Sequence, residues 1–310
     1  MSDFVTGVEE ITAAGRQAEP ARSLTRPARS YWRESADRLW ANRAAVACAA
    51  YVLVLALAAL LAPLVSRYVT HYDATTQDLT QLFRPPGGAH PLGTDELGRD
   101  TLTRLLYGAQ VSLTVGFLTA ALSLVVGGTV GMVAGYVGGW PDGLLMRMVD
   151  IILSIPAIFL YILLSTLLRP NAVTLSFIIA FVGWGNVGRL VRGEALSLRS
   201  REFVLATRSI GAGTVRLLVR HLLPNALPVM IVAASLAVGQ IILAESALSF
   251  LGLGIQPPTP SWGNMLSNAQ QYYYHSAWLV LFPGVMIFLT VLAASLLGNA
   301  VRDAFDPRLR

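Results

Sequence analysis

The sequence predicts an all-α integral membrane protein with six transmembrane helices. Three observations carry that prediction. Charged residues make up 13% of the 310-residue chain, against about 25% in a soluble domain. Mean hydropathy is +0.57. Apolar runs of spanning length also alternate with segments that hold nearly all of the arginines.

The elements follow in order. Residues 1–43 are polar, rich in Ala, Pro, Arg and Ser, and lack the apolar stretch of a secretory signal, so they read as a disordered tail. A helix needs roughly 20 apolar residues to cross the hydrocarbon core. Ala44–Val65 is a charge-free run of that kind between Arg43 and Arg67 and forms the first span, which with the loop to residue 104 makes a segment 44–104. Leu105–Pro141 is charge-free and longer than one span needs; its crossing helix is placed at 111–136, ended by "VGGWPDG". The third span is 151–168, closed by Asp150 and Arg169, with "RPN" at 169–171 as a tight turn before a fourth span at 170–188. After a basic insert come a fifth span at 222–244 and a sixth at 276–299, separated by the helix-breaking "GLGIQPPTPSWGN". Residues 105–300 form the core domain and 301–310 a terminal tail.

Six spans place both termini on one side. That side collects 18 arginines and the other 5. Arginine-rich short loops face the cytoplasm, so both termini and the insert are expected there. Lysine does not occur, which excludes a G-x-x-x-x-G-K-[ST] phosphate loop in this chain. The lone Cys48 excludes an internal disulfide and CxxC sites. No Ser-His-Asp order, catalytic carboxylate pair or G-x-S-x-G occurs, so no intrinsic enzyme activity is expected.

The insert "REFVLATRSIGAGTVRLLVRHLLPNALP" (201–228) is the most strongly charged stretch between apolar runs. Phe203, Ala206 and Ile210 share one helical face, and Val215, Leu218, Val219 and Leu222 another, with Arg216 and Arg220 opposite. Gly211 and Gly213 permit a sharp turn between them, and Pro224 and Pro228 suit the first turn of the next helix. The physics leaves two readings open: a helix pair lying on lipid phosphates, or a docking element for a cytoplasmic partner.

The insert resembles the coupling loop of inner-membrane permeases of binding-protein-dependent ABC importers. That family carries Glu-Ala-Ala, then Gly four residues after the last Ala, then Leu-Pro. The pattern falls on Leu205-Ala206-Thr207, Gly211 and Leu223-Pro224. Leu205 replaces the family Glu and Thr207 the second Ala; Glu202 supplies a negative charge at the start of the first helix. "HPLGTDELGRDTLTRLLYGAQVSLTVG" (90–116), "ESALSFLGLGIQPPTPSWGNML" (245–266) and the ending "RDAFDPRLR" resemble the C-type permease of dipeptide and oligopeptide importers, and nickel importers share these motifs.

The resemblance spans about 38–310 and implies a type I ABC importer permease fold in a bacterial inner membrane, with a coupling loop at about 193–224. It implies Glu202, Phe203, Ala206, Thr207, Ile210, Gly211, Leu218, Leu223 and Pro224 as the residues that couple to the ATPases. The implied partners are a homologous second permease, two cytoplasmic ABC ATPases that bind the ATP and Mg, an extracytoplasmic substrate-binding protein and membrane lipid. This chain carries no cofactor, and no nucleic-acid partner is expected. The implied mechanism is alternating access driven by ATP.

Other features have more than one reading. Gly127, Gly131 and Gly135 form a small-residue stripe suited to close helix packing, within the subunit or against a second permease. Glu245, placed at the outer end of the fifth span, is a candidate gate or interface residue, or a hydrogen-bonded structural carboxylate. Asp150 reads as structural. His90, Asp95 and Asp100 match no metal-ligand spacing, and the 66–104 loop is expected to be a charged, ordered collar on the membrane surface. Trp262 and Tyr272–Tyr274 suit an interfacial position, and the family implies that the outer loops meet the binding protein. Two rivals from other classes are a proton-coupled secondary transporter and a lipid-binding scaffold. The former needs ionisable groups at mid-membrane, whereas the acids here are placed near span ends.

Overall fold

The computed structural model describes residues 31–306. The tail expected over 1–43 is corrected at its end. Helix α1 (Tyr31–Ala41) carries Glu34 in its first turn and Arg38 one turn on, joined by a 2.9 Å ion pair. That order of charges favours helix. Residues 1–30 lie outside the described residues, as do 307–310.

The first span is α2 (Arg43–Leu60), capped by the Asn42 side chain on the Ala45 N–H. It runs on through Ala62–Val65 and a π-helical turn at Ser66–Thr70, and stops at His71, whose φ is 61°. The second is α3 (Thr101–Val137), 37 residues and about 55 Å long. It starts ten residues before the expected 111 because Asp100 caps it, accepting from the Thr103 N–H at 2.8 Å.

The third span is not one straight helix. α4 (Gly139–Ser154) and α5 (Ala157–Leu168) meet at 85°. Pro156 is the cause: it lacks an N–H and forces Ile155 into an extended conformation, with ψ 129°. The fourth, α6 (Ala172–Arg199), extends eleven residues beyond the expected 188. Arginines end an apolar run without ending a helix, and Arg189 and Arg192 pair with Asp150 and Asp142 of α4 at 2.6 Å.

α7 (Glu202–Ser209) is the first helix of the insert. α8 (Thr214–Phe250) is continuous from the insert through the fifth span, with a π-helical turn at Leu218–Leu222. A short helix not anticipated from the sequence, α9 (Trp262–Tyr272), follows with a capping box formed by Ser261 and Asn264. α10 (Trp278–Phe305) ends the bundle and runs past residue 300, so the expected tail starts within it.

Glycine contacts give the helix directions. A β carbon on Gly127 would lie 2.5 Å from the Trp184 carbonyl oxygen, one on Gly131 would collide with that of Gly188, and one on Gly135 would lie 2.6 Å from that of Arg192. The stripe is therefore a packing seam within the subunit, and α3 and α6 run parallel along it. The bent pair α4–α5 must return the chain between them, so it counts as one crossing and the crossings number six among the described residues. α8 runs antiparallel to α3, with Gly116 against Ile242 and Gly128 against Met230.

At the Thr101 end, residues 71–100 fold into a dense polar collar. Asp95 takes Arg99 at 2.7 Å and Arg104 at 3.2 Å, and Glu96 takes Arg99 at 2.8 Å. Hydrogen bonds from the Thr80 hydroxyl and N–H hold the Asp78 carboxyl below its usual range. Gln81 donates to Asp78 at 2.6 Å, which turns its amide oxygen toward His90 Nε2 at 2.9 Å. His90 Nδ1 faces Asp100 at 3.0 Å, and its ring stacks on Tyr72. His90, Asp95 and Asp100 are thus split between two networks and form no metal-binding group among the described residues.

Candidate functional site

The insert lies at the Val137 end of the bundle. Its turn uses Gly211 at φ 85°, where the Gly211 N–H bonds Arg208 and the Ala212 N–H bonds Thr207. A β carbon there meets nothing within 4 Å. The glycine is required by conformation, not by space. Pro224 has no N–H for the Arg220 carbonyl, and the adjoining π-helical turn absorbs that break in the ladder.

The insert is clamped to the spans. Val204, Leu217 and Leu222 are fully buried in a cluster with Met132 of α3, Val191, Ala195 and Leu198 of α6, and Ala226 and Met230 of α8. Leu218 and Leu223, expected among the coupling residues, are half-buried against the same cluster. Thr207 spends its hydroxyl on the Phe203 carbonyl at 2.7 Å. Glu202, Phe203, Ala206, Ile210 and Pro224 are exposed.

Three exposed apolar residues outside the expected set join them. Ile210 is 85% exposed, Val215 74%, Val219 59% and Leu205 51%. The helical periodicity had put Val215 and Val219 on one face with Leu218 and Leu222, yet the fold exposes the first two and turns the second two inward. Periodicity finds a face but not which flank of a surface helix is packed. Arg201, Arg208, Arg216 and Arg220 are exposed around the patch. The arrangement is a rigid, apolar knob rimmed by positive charge, a composition that marks a protein or membrane contact.

Glu245 sits five residues inside α8 rather than at its end, and is fully buried. It accepts from Ser112 of α3 at 2.9 Å and from Ser249 at 2.8 Å. The Ser249 hydroxyl also accepts from the Ile255 N–H at 3.1 Å, tying the 251–261 loop to the same point. Trp262 is fully buried against α3, where a β carbon on Gly108 would lie 3.1 Å from its ring, and donates to the Leu105 carbonyl at 3.1 Å. The carboxylate is therefore a joint between two spans and a loop inside the subunit, not an exposed interface residue. No periodic pattern links Ser112 to Glu245, since 133 positions separate them.

Comparison with known proteins agrees with this geometry. Residues 127–310 match the family model described as "Binding-protein-dependent transport system inner membrane component". Residues 30–86 match the "N-terminal TM domain of oligopeptide transport permease C". The chain is 40% identical over 281 residues to a dipeptide transport system permease protein of Alkalihalophilus pseudofirmus, covering 91% of each. It is 35% identical over 297 residues to an oligopeptide transport system permease protein of Bacillus subtilis, covering 96% of each. It is 37% identical over 290 residues to a glutathione transport system permease protein of Pectobacterium atrosepticum, covering 93% of this chain and 94% of that one. Among solved structures, a chain of the MetNI methionine ABC transporter in an inward-facing conformation superposes with a TM-score of 0.54 at 18% identity, over 66% of this chain and 96% of that one. That likeness concerns the fold. Six crossings, an insert clamped between the fourth and fifth of them, and matches over nearly the whole length lead to one conclusion: the chain belongs to the inner-membrane component family of binding-protein-dependent ABC transport systems.

Proposed function

We propose that the chain is one membrane half of an ATP-driven importer of dipeptides and oligopeptides, with both termini and the 201–228 insert in the cytoplasm. The observation that carries this reading is the insert itself. It exposes Ile210, Val215 and Val219 while Val204, Leu217 and Leu222 lock it to α3 and α6. A partner that grips the knob therefore moves the spans, because no flexible link intervenes. The partners are two ATPases that bind ATP and Mg, a homologous second permease, and a binding protein that delivers solute to the opposite face. Closure of the ATPase pair on ATP carries the insert with it and opens the path between the two permeases outward; hydrolysis returns it. The two states differ by the contacts the knob makes, which is what a shift in their populations requires. The peptide assignment is supported by the names of the dipeptide, oligopeptide and glutathione permeases above.

The test is co-purification from detergent of the wild-type chain and of an Ile210→Arg, Val215→Arg double variant, with ATPase activity measured on each. The wild type brings down two ATPases and a second permease. The variant keeps the second permease and loses at least about tenfold of the bound ATPase, since losing buried apolar anchors of this size costs well over 1.4 kcal/mol. Recovery of the chain alone, with its arginines needed only for anionic lipid, supports the scaffold reading instead.

A further inference from the structure

Asn186 of α6 and Gln240 of α8 sit within spanning helices, and both are exposed. Neither side chain has a hydrogen bond to the described residues, although a carboxamide left in lipid without partners costs several kcal/mol in general terms. Both lie within their helices and not at an end. Asn186 lies roughly 21 Å along α6 from its start at Ala172, and Gln240 about 15 Å along α8 from its end at Phe250. The antiparallel packing of α8 on α3, and the parallel packing of α6 on α3, put those two helix ends on the same side.

Both amides line one cavity of about 400 Å³ between α3, α5, α6 and α8, which is large enough for a small peptide. Ser123 and Tyr161 add hydroxyls to the same wall. Gly183 opens the floor, where a β carbon would stand 3.3 Å from the Ser123 hydroxyl. Apolar residues such as Leu236 and Ile241 make up the rest.

The donor set defines the ligand. The lining holds no acid, base, imidazole or thiol. A transition-metal ion finds no imidazole, thiolate or carboxylate there, and an ionised side chain finds no counter-charge. Carboxamides and hydroxyls both donate and accept, as a peptide unit does. We propose that Asn186 and Gln240 form a charge-neutral station between the spanning helices that hydrogen-bonds the N–H and C=O of the solute's peptide bond and ignores its side-chain charge. This rests on the peptide-import reading and gives a physical route to transport of many peptide sequences through one path.

The test uses the chain co-expressed with its partner subunits in cells lacking other peptide uptake. The probes are radiolabelled Ala-Ala and its depsipeptide analogue, with an ester in place of the peptide bond. Contributions of the binding protein to amide preference are common to wild type and variants, so the change in preference reports the membrane station. In the Asn186→Leu, Gln240→Leu double variant, Ala-Ala uptake falls about tenfold or more, as expected for two lost hydrogen bonds. The preference for amide over ester shrinks toward one, while recovery of the complex with its second permease and ATPases stays at the wild-type level.

A second variant, Gln240→Glu, keeps the shape and adds a charge; it raises uptake of Lys-Lys relative to Ala-Ala. Three results overturn the proposal. Unchanged uptake and amide preference in the double variant, together with no charge selection by Gln240→Glu, removes the station. Loss of the second permease from both variants assigns the amides to subunit packing. No Ala-Ala uptake by the wild type overturns the import reading itself, and this proposal with it.

Discussion

The two ends of the bundle are built to opposite rules. At the Thr101 end, His90, Asp95, Arg99, Asp100 and Arg104 are each no more than 5% exposed, and each is held by named partners. At the Val137 end, Ile210, Val215 and Val219 stand in solvent, ringed by exposed arginines. A buried polar network must be complete, because each unpartnered group costs its full desolvation. An exposed apolar knob on a rigid base has no such closure of its own. One end is finished by the chain itself; on the function proposed above, the other is finished by an ATPase.

The largest expected effect comes from breaking the finished end. Asp95→Ala leaves the buried Arg104 without its carboxylate and Arg99 with only Glu96. Stranding a buried charge costs about 3–5 kcal/mol. The variant is expected to show greatly reduced folded protein in membranes and a lower unfolding midpoint in detergent; wild-type yield and midpoint would show that the collar is not a structural network.

The next is His90→Ala, which removes one donor from the buried Asp100 and one partner from Gln81 while the Thr103 bonds to Asp100 remain. The cost is about 1–3 kcal/mol. It is read as faster hydrogen exchange across 78–100, with the insert unaffected.

The smallest effect is at the open end. Gly211→Ala places a β carbon in free space but at φ 85°, which costs about 1–2 kcal/mol. The measurement is the rate of trypsin cleavage at the exposed Arg208, which rises severalfold while the unfolding midpoint of the bundle stays put. A midpoint shift as large as that of Asp95→Ala would mean the two ends are not built differently after all.

The spans were legible because lipid demands long apolar runs, and the arginines between them stood out against that background. Their ends were less so. Arg189 and Arg192 closed the apolar run but stayed on α6, since a charged side chain at a membrane edge finds Asp150 or Asp142 without leaving the helix. Pro156 signalled a break only once the helix was known to start at Gly139. The glycine stripe announced close packing, but its partner carbonyls lie about sixty positions away on α6 and have no local signature. The same holds for Glu245 and Ser112. In the insert, the sequence orders the motif residues along the chain. Which of them point outward was decided by the cluster around Met132 and Val191, contacts that no helical periodicity encodes.

The π-helical turn at Leu218–Leu222 has a further consequence. Such a turn holds one more residue than the α-helix around it, and one residue is about 100° of rotation. Everything on the Thr214 side is therefore set out of phase with everything on the Phe250 side, as if a shaft had been cut, twisted and rejoined. The bearing of Val215 on the exposed surface and the bearing of Gln240 on the cavity are independent settings of one rod. A lineage can retune the first by a single insertion or deletion in the turn and leave the second where it was.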